Sequence, residues 1–442
     1  MIRRAAWHLV TGRKEPGWAA RVATLREVAA MSPAAFRART DAALAAHLRW
    51  AATTVPALAG KVAPDAPLAA FPVLTRARLQ ADLEALRDPT RPREAFVLEA
   101  SGGSTGAPVR VWRDVETSRW TFAQEVHLLE TWGLAPWCRR AYLWGDDREQ
   151  RDVPWKERVV RRLLPNLFLN AFGMDEARMA GFADRLDAFR PEMVQGYATA
   201  LDLFASWLLA TGRQVAAPAV VRSSAEALSA EARARIERAF RAPVRDVYGS
   251  RESTHLAAQC AHGGYHVLGT GRVVEIVDDA GAPAAPGVPG RVLVTDLTNR
   301  AMALVRYENG DVASWAPADA PAGAPCPCGA PFPRIERVHG RTSDFLTTPG
   351  GRRIHGEWFT HLFYGREGVA KFQVHQRSLG RVEVRTVGPA TEADLAPVLA
   401  AIRGAMGPEV VVAWERVEAI PLTKAGKHRF TLSDVPFLPG AP

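Results

Sequence analysis

Between two β-forming stretches lies Ser101-Gly102-Gly103-Ser104-Thr105-Gly106. Its glycines let the backbone approach an anion closely, and its N–H groups and the Ser104 and Thr105 hydroxyls can donate to phosphate oxygens. The Gly-Lys-Ser/Thr ending of a Walker loop is missing, and a plain hairpin turn has the same composition. Four further stations follow. Tyr248-Gly249-Ser250-Arg251-Glu252 comes directly after an apolar strand. Tyr307-Glu308-Asn309-Gly310-Asp311 and Gly340-Arg341-Thr342-Ser343-Asp344 come next. Near the end stands Thr423-Lys424-Ala425-Gly426-Lys427-His428-Arg429. Each has a plainer alternative: a surface carboxylate at Glu252, a turn-forming Asp311 after Asn309-Gly310, one more solvated arginine at Arg341, a capping Asp344. Lys427 is conspicuous because 56 basic residues include only six lysines, at 14, 61, 156, 371, 424 and 427.

The cysteines carry a second signal. Cys326 and Cys328 share a Pro/Gly turn, while Cys260 precedes His262 and His266. Two thiolates from one turn plus a thiolate and an imidazole from another would close a tetrahedral zinc site; the alternative is free thiols. With every position filled by protein, such a metal would be structural. Cys138 reads as a core or near-surface thiol. Four cysteines in 442 residues make no disulfide framework, and a reducing cytoplasm is expected.

These residues need elements to position them. Helices are predicted over 18–50, with Ser32-Pro33 starting the second, then within 71–79, which passes from a Pro-containing turn into a helix, and from an Asp114 cap to Trp132 before Gly133. Strands at 95–100 and 109–112 would flank the small-residue loop. From 140 to 246, strands at 142–144, 193–195, 220–222 and 244–247 alternate with helices at 200–210 and 229–240, the pattern of a layered α/β sheet. Beyond Tyr265, strands at 273–277, 292–295, 303–307 and 312–315 predict an antiparallel β subdomain over about 260–335. A Pro/Ala/Gly-rich linker over 316–325 precedes Cys326. After 344 a small α+β unit is expected, with strands at 372–375, 382–386 and 410–414 and a helix at 393–406.

A net charge of +9 is carried by arginines scattered among acids, which disfavours nucleic acid and suits a small polyanion such as ATP. The basic N-terminal stretch does not read as a secretory signal, and no apolar run approaches the roughly 20 residues of a membrane span. The serine-hydrolase elbow and the dinucleotide fingerprint are absent.

Taken in order, the five stations resemble the adenylate-forming superfamily of acyl-CoA synthetases, luciferases and peptide-synthetase adenylation domains. The loop without a following lysine, Phe71-Pro72-Val73-Leu74-Thr75, the stretch from Gly196 to Leu208 and Cys326-Pro327-Cys328-Gly329 are most similar to the phenylacetate–CoA ligase branch and its capsular-polysaccharide relatives. The resemblance runs from about Phe71 to Arg429. It implies a large region, 1–343, binding ATP and the acid, and a mobile C-terminal domain, 344–442, carrying the catalytic lysine.

It also implies roles. Residues 101–106 would cradle the β- and γ-phosphates, and Glu252 would hold Mg²⁺. Tyr248 and Gly249 would belong to the nucleotide site, and the backbone of Ser223-Ser224-Ala225-Glu226 would line the adenine. Asp311 would accept from the ribose hydroxyls, and Arg341 would meet ribose or phosphate. Lys427 would reach the carboxylate and the α-phosphate, with Lys424 solvated, and Asp344 would be the hinge. Trp144, Phe172 and Tyr197 would wall an acid pocket, although aromatics are more often simply core. His266 matches the branch's Gly-Gly-x-His position and is the preferred fourth zinc ligand, with His262 its rival.

The expected activity is ATP-dependent formation of an acyl-adenylate, with the acid aromatic or otherwise, followed by transfer to coenzyme A. The alternatives are a carrier protein or an amine as acceptor, adenylation of nitrite, or a non-catalytic zinc-containing binding protein. Expected partners are the acid, ATP and coenzyme A, with a homodimer as a permitted assembly and neither nucleic acid nor membrane.

Overall fold

The structure is a computed structural model that describes residues 2–100, 109–144, 159–160, 162–171, 174–268, 271–316, 326–341, 345–363, 366–421 and 429–435. Three helices open the chain: α1 (Ile2–Lys14), α2 (Trp18–Ala29) and α3 (Pro33–Thr54). The Ser32 hydroxyl accepts from the Ala35 N–H at 3.2 Å with Pro33 at the first helical position, so α3 starts where the sequence signals it. Thr75 caps the short α4 (Arg76–Ala81) in the same way.

The hairpin β1 (Val97–Ala100) and β2 (Arg110–Arg113) pairs antiparallel, Ala100 opposite Arg110, so the chain leaves and returns at one end across the small-residue stretch. Helix α5 (Val115–Thr131) follows, its N–H groups capped by Asp114.

One sheet dominates the large region. Its parallel half is β3 (Arg140–Leu143), β4 (Leu167–Leu169), β5 (Met193–Tyr197), β6 (Val220–Ser224) and β7 (Val244–Ser250). Helices α6 (Glu176–Phe189), α7 (Ala198–Thr211) and α8 (Ala230–Phe240) bury one face of these strands, packing Phe182, Phe204 and Phe240 against Leu143, Val194, Val221 and Val244. Alternation of side chains along a strand sends Met193, Val220 and Val247 to the opposite face, where they meet Leu128, Leu129 and Trp132 at the end of α5.

The antiparallel half is β8 (Thr254–Gln259), β9 (Tyr265–Val267), β10 (Arg272–Val277), β11 (Gly290–Asp296), β12 (Tyr307–Trp315) and β13 (Arg334–Arg341). The order among the described residues is β10-β11-β12-β13-β9-β8-β7-β6-β5-β3-β4, so both halves form one hydrogen-bonded sheet, joined by the β7–β8 hairpin.

One expectation fails here. Residues 303–305 form no strand: Ala303, Leu304 and Val305 are buried in the core under α3 and β2, and the strand starts at Tyr307. It runs through Asn309-Gly310 to Trp315, so that pair bends a continuous strand and makes no turn between two. The reversal is made earlier. Arg306 adopts φ 50°, with its guanidinium on the carbonyls of Ala69 (3.2 Å) and Phe71 (3.1 Å). Leu74 then docks beside Tyr307.

The C-terminal unit has a four-stranded sheet, β18 (Val411–Arg416), β17 (Arg381–Val387), β16 (Lys371–Ser378) and β19 (Thr431–Ser433) in that order. It carries α9 (Gly356–Phe363) and α10 (Glu392–Met406), the latter opened by a Thr391/Asp394 capping box. The small pair β14 (Phe345–Thr347) and β15 (Arg353–His355) precedes it. Gln376, fully buried, clamps the Thr347 backbone through both amide atoms, at 2.9 and 2.6 Å. The chain is therefore fixed to β16 within three residues of Asp344. No helix among the described residues is long and apolar enough to cross a membrane.

Candidate functional site

In an open α/β sheet the carboxyl ends of the parallel strands form the usual ligand crevice, because the connecting loops diverge there. Register fixes what arrives at this edge. Leu143, Gly196 and Ser223 lie abreast, so Trp144, Tyr197 and Ser224 come next to one another. Trp144 and Tyr197 stack with ring centroids 4.2 Å apart and 20° between planes. Phe172 lies outside the described residues. Ala225 leaves β6 at φ 70°, a left-handed conformation that costs an alanine energy and is worth noting beside a crevice. The Glu226 side chain is engaged elsewhere, because its carboxylate accepts from the Thr199 N–H (3.0 Å) and hydroxyl (2.6 Å), capping α7.

Tyr248, Asp311 and Arg341, 93 residues apart in sequence from first to last, form one constellation. The buried Tyr248 hydroxyl donates to Asp311 Oδ2 at 2.8 Å and accepts from Asn309 Nδ2 at 2.8 Å. Burial, then the Asp311 carboxylate, push the phenol well above its ordinary pKa, so it remains a donor. Asp311 pairs with Arg341 across β12–β13, with Oδ1 3.5 Å from Nε, while Arg341 Nη2 donates to the Asn309 carbonyl at 2.8 Å.

Gly310 makes this possible. At φ 83° it kinks the strand so that Asn309 Oδ1 accepts the Asp311 N–H at 3.0 Å, and a Cβ there would meet Arg341 Nη2 at 3.0 Å. A carboxylate only accepts and has about four acceptor sites, so Asp311 is chemically suited to hydroxyl donors of a ligand.

Glu252 sits in the β7–β8 connection and is buried. Its carboxylate helps keep the proton on the buried Tyr307 phenol, whose pKa is raised by burial first and Glu252 second. The connection is tight: a Cβ on Gly249 would meet the Thr254 carbonyl oxygen at 2.2 Å, so only glycine fits.

Two arginines that sequence reasoning did not single out hold this loop from behind. Arg113 Nη2 donates to the carbonyls of Arg251 (2.7 Å) and Glu252 (3.3 Å), while its Nη1 lies 3.4 Å from Glu99 on β1. It thereby ties the hairpin carrying 101–108 to the Glu252 loop. Arg272 donates to the Ser253 carbonyl and the Thr254 hydroxyl, both at 2.9 Å, and forms a fully buried ion pair with Asp296 at 2.9 Å. Among 56 basic residues nothing marked these two, because burial is a tertiary property.

Breaking a buried pair by removing one partner costs about 3–5 kcal/mol. Arg272→Met is expected to lose that much in urea unfolding, with part recovered by adding Asp296→Asn; an unchanged midpoint would show that the pair is unimportant.

The sulfur ligands also assemble. Cys260 leaves β8, His266 lies on β9, and Cys326 and Cys328 precede β13. Their four ligand atoms lie within 4.8 Å of one another. Cys260 Sγ is 3.6 Å from Cys326 Sγ, and Cys328 Sγ is 3.2 Å from His266 Nε2. Tetrahedral zinc with Zn–S of about 2.3 Å places sulfurs about 3.8 Å apart, so the spacing fits.

The two turns are alike. Each begins at a Cys whose carbonyl accepts from a glycine N–H three residues on, Gly263 at 3.0 Å and Gly329 at 2.7 Å, and the His262 N–H donates to Cys260 Sγ at 3.3 Å. His266 Nδ1 lies 3.3 Å from the Phe332 carbonyl, an orienting bond that leaves Nε2 for a metal. Burial holds the imidazole pKa down, which keeps it neutral and able to ligate. The cluster sits at the Arg334 end of β13 and Arg341 at the other, so about 20 Å of strand separates it from Asp311.

Residues 101–106, Asp344, Lys424 and Lys427 lie outside the described residues. The flanks of the last are placed: the Arg429 carbonyl accepts from Gln373 Nε2 at 3.0 Å and the Phe430 carbonyl from the Val374 N–H at 2.8 Å. The chain from Arg429 onward therefore enters β19 beside β16.

Residues 346–434 match the CapK C-terminal domain family. Protein CapK of Staphylococcus aureus is 22% identical over 391 residues, covering 86% of this chain and 83% of its own. A solved 2-hydroxyisobutyryl-CoA ligase, in the postadenylation state in complex with 2-HIB-AMP, superposes with a TM-score of 0.62 at 17% identity over 90% of each chain. The chain has the fold of the adenylate-forming ligases. The amide bond synthetase McbA from Marinactinospora thermotolerans shares this adenylate-forming fold at a TM-score of 0.53 and 16% identity, over 76% of this chain and 67% of that one.

Proposed function

We propose that this chain activates a carboxylic acid with ATP. The acid's carboxylate oxygen attacks the α-phosphorus, the bond from that phosphorus to the bridging oxygen breaks, and pyrophosphate leaves an acyl-adenylate. The observation that carries the reading is the Asp311–Tyr248–Arg341 constellation beside the Glu252 loop, at the carboxyl edge of the parallel strands in an adenylate-forming fold.

Such a reaction asks the protein mainly for position and charge neutralisation. Asp311 would receive the ribose hydroxyls, and Arg341 would meet ribose or phosphate. The backbone from Ser223 to Glu226, with Tyr248 and Gly249, would frame the base. A single buried carboxylate, Glu252, suits Mg²⁺, which keeps most of its other ligands from phosphates and water; the ion would offset phosphate charge there. Residues 101–106 would bind the β- and γ-phosphates, and Lys427 the developing charge.

We further assign zinc to Cys260, His266, Cys326 and Cys328, on the donor set and its spacing, as a structural metal. The activated acyl group would pass to the thiol of coenzyme A, in the manner of the phenylacetate–CoA ligase branch that the motifs resemble.

Acid-dependent ATP–pyrophosphate exchange tests the reading over aryl, aliphatic, hydroxy and amino acids with nitrite included. Exchange with at least one acid is expected. Asp311→Ala should raise KM for ATP about tenfold or more, the worth of a charged hydrogen bond, without unfolding the chain. Exchange supported by no acid in magnesium-containing buffer would count against acid activation, and an unchanged KM would remove Asp311 from the nucleotide site.

A further inference from the structure

Below the Trp144–Tyr197 pair the sheet face turns polar. Tyr142, Gln195 and Arg222 stand abreast in register, each two residues before Trp144, Tyr197 and Ser224 on its own strand. They therefore share that face one step deeper, about 6–7 Å in.

Helix α5 covers this face and supplies Glu125. Arg222 Nη1 lies 2.7 Å from both Glu125 oxygens, and Arg140 Nη1 lies 3.3 Å from one of them. Burial acts to raise the Glu125 pKa, but Arg222 and then Arg140 hold it down to about 2, so it is ionised. Two guanidinium groups thus face a single carboxylate.

His255, on β8, lies with Nε2 3.2 Å from Arg222 Nη2. A guanidinium only donates, so Nε2 accepts and the ring proton sits on Nδ1. Burial, then Arg222, push this imidazole down to about 4, so it adds no charge, while Glu125 opposes that shift and Arg272, already paired with Asp296, adds to it. The cluster keeps a surplus of one positive charge.

Two of its donors lack acceptors. Arg222, only 3% exposed, has a buried Nε–H with no hydrogen-bond partner among the described residues, and His255 Nδ1–H has none either. A buried donor left unmade costs about 1–3 kcal/mol, and native interiors carry few. Hydrophobic filling would be the ordinary solution here, as on the opposite face of the same strands.

We propose that the acid activated by this protein carries a second carboxylate at the end remote from the reacting one, received by the Arg222 guanidinium beneath the Trp144–Tyr197 pair. The inference rests on the acid-activation reading of the site and names its substrate class. A site built to pair with a group discriminates strongly against the analogue that lacks it, because its own donors are then stranded.

The test compares matched acids of one skeleton with and without a distal carboxylate, aryl and aliphatic, using the full chain. ATP–pyrophosphate exchange and ligand-induced thermal stabilisation are both read. The dicarboxylic member of at least one pair should show kcat/KM about tenfold or more above its partner. Arg222→Gln should bring the two near equality, and Glu125→Gln, which removes the competing carboxylate, should widen the gap.

Preference for the monocarboxylic member in every pair, or a dicarboxylic preference untouched by Arg222→Gln in folded protein, overturns the inference and leaves acid activation standing. If Arg222→Gln does not fold, a gap that Glu125→Gln fails to widen overturns it equally. Absence of exchange, with a dicarboxylic acid still stabilising wild type but not Arg222→Gln, would support the pocket and count against activation. Neither exchange nor stabilisation with any acid overturns both.

Discussion

Lys427→Ala is expected to cut acid-dependent ATP–pyrophosphate exchange by about 10²–10³-fold, the usual loss when one preorganised group aimed at developing charge is removed. The attacking carboxylate and the α-phosphate would both carry negative charge, and an ammonium supplied between them by Lys427 would lower the barrier where their repulsion is greatest. Consumption of a supplied acyl-adenylate needs no such group and should fall far less. The split between the two half-reactions is the informative readout. A variant that exchanges at the wild-type rate would place the catalytic cation elsewhere. A variant that loses both steps in parallel would point to a folding defect, checked by its melting temperature. The anchoring of Arg429 and Phe430 to β16 makes a folding defect unexpected, because the strand contacts are main-chain on the β19 side.

Protein purified without metal-affinity steps is expected to hold about one zinc per chain at Cys260, His266, Cys326 and Cys328. Chelation, or Cys326→Ser, should lower stability. A ligand bound only by the folded state stabilises by about 4 kcal/mol at a thousandfold excess over its Kd. The cluster joins the β8–β9 turn to the segment entering β13, two places far apart in sequence, so its loss should loosen the antiparallel half before the parallel one. Hydrogen exchange would show this as early deprotection of β9 and β13. Exchange activity at low temperature should persist, since strand length separates the cluster from Asp311. Metal-free protein of unchanged stability and protection would sink the assignment. A metal content that tracks activity but not stability would make the metal catalytic instead. His262→Ala is the control for the rival ligand: its backbone N–H already donates to Cys260 Sγ, and its side chain should be dispensable.

Periodicity and punctuation were enough to place most elements. Capping residues marked the starts of α3 and α5 at Ser32 and Asp114, because an N-cap bond is local and needs no partner from elsewhere. Alternating strands and helices from Arg140 to Asp246 predicted a layered α/β sheet for a similar reason, and register shows those strands to be its parallel half. The apolar stretch at 303–305 misled, since a short buried run reads alike as a strand or as core-packed irregular chain. What decided it was Arg306 bonding to the 69–71 backbone, a contact of 235 residues' separation that no local pattern contains.

The order of the five stations was legible in the sequence by itself, and so were the soft ligands and the isolated lysine. These are statements of residue type and spacing, and type and spacing suffice to name a chemistry. Only the tertiary structure decided which side chains meet. It bound Tyr248 to Asp311, drew Cys260 and His266 to Cys326 and Cys328, and turned Glu226 away to cap α7. It also buried Arg113, Arg222, Arg272 and Arg306 out of an arginine population that looks uniform in sequence. The physical reason is that charge acquires its meaning from its surroundings. An arginine in water is one of many, whereas one desolvated beside a chosen carboxylate must be answered, and only the folded chain shows which are.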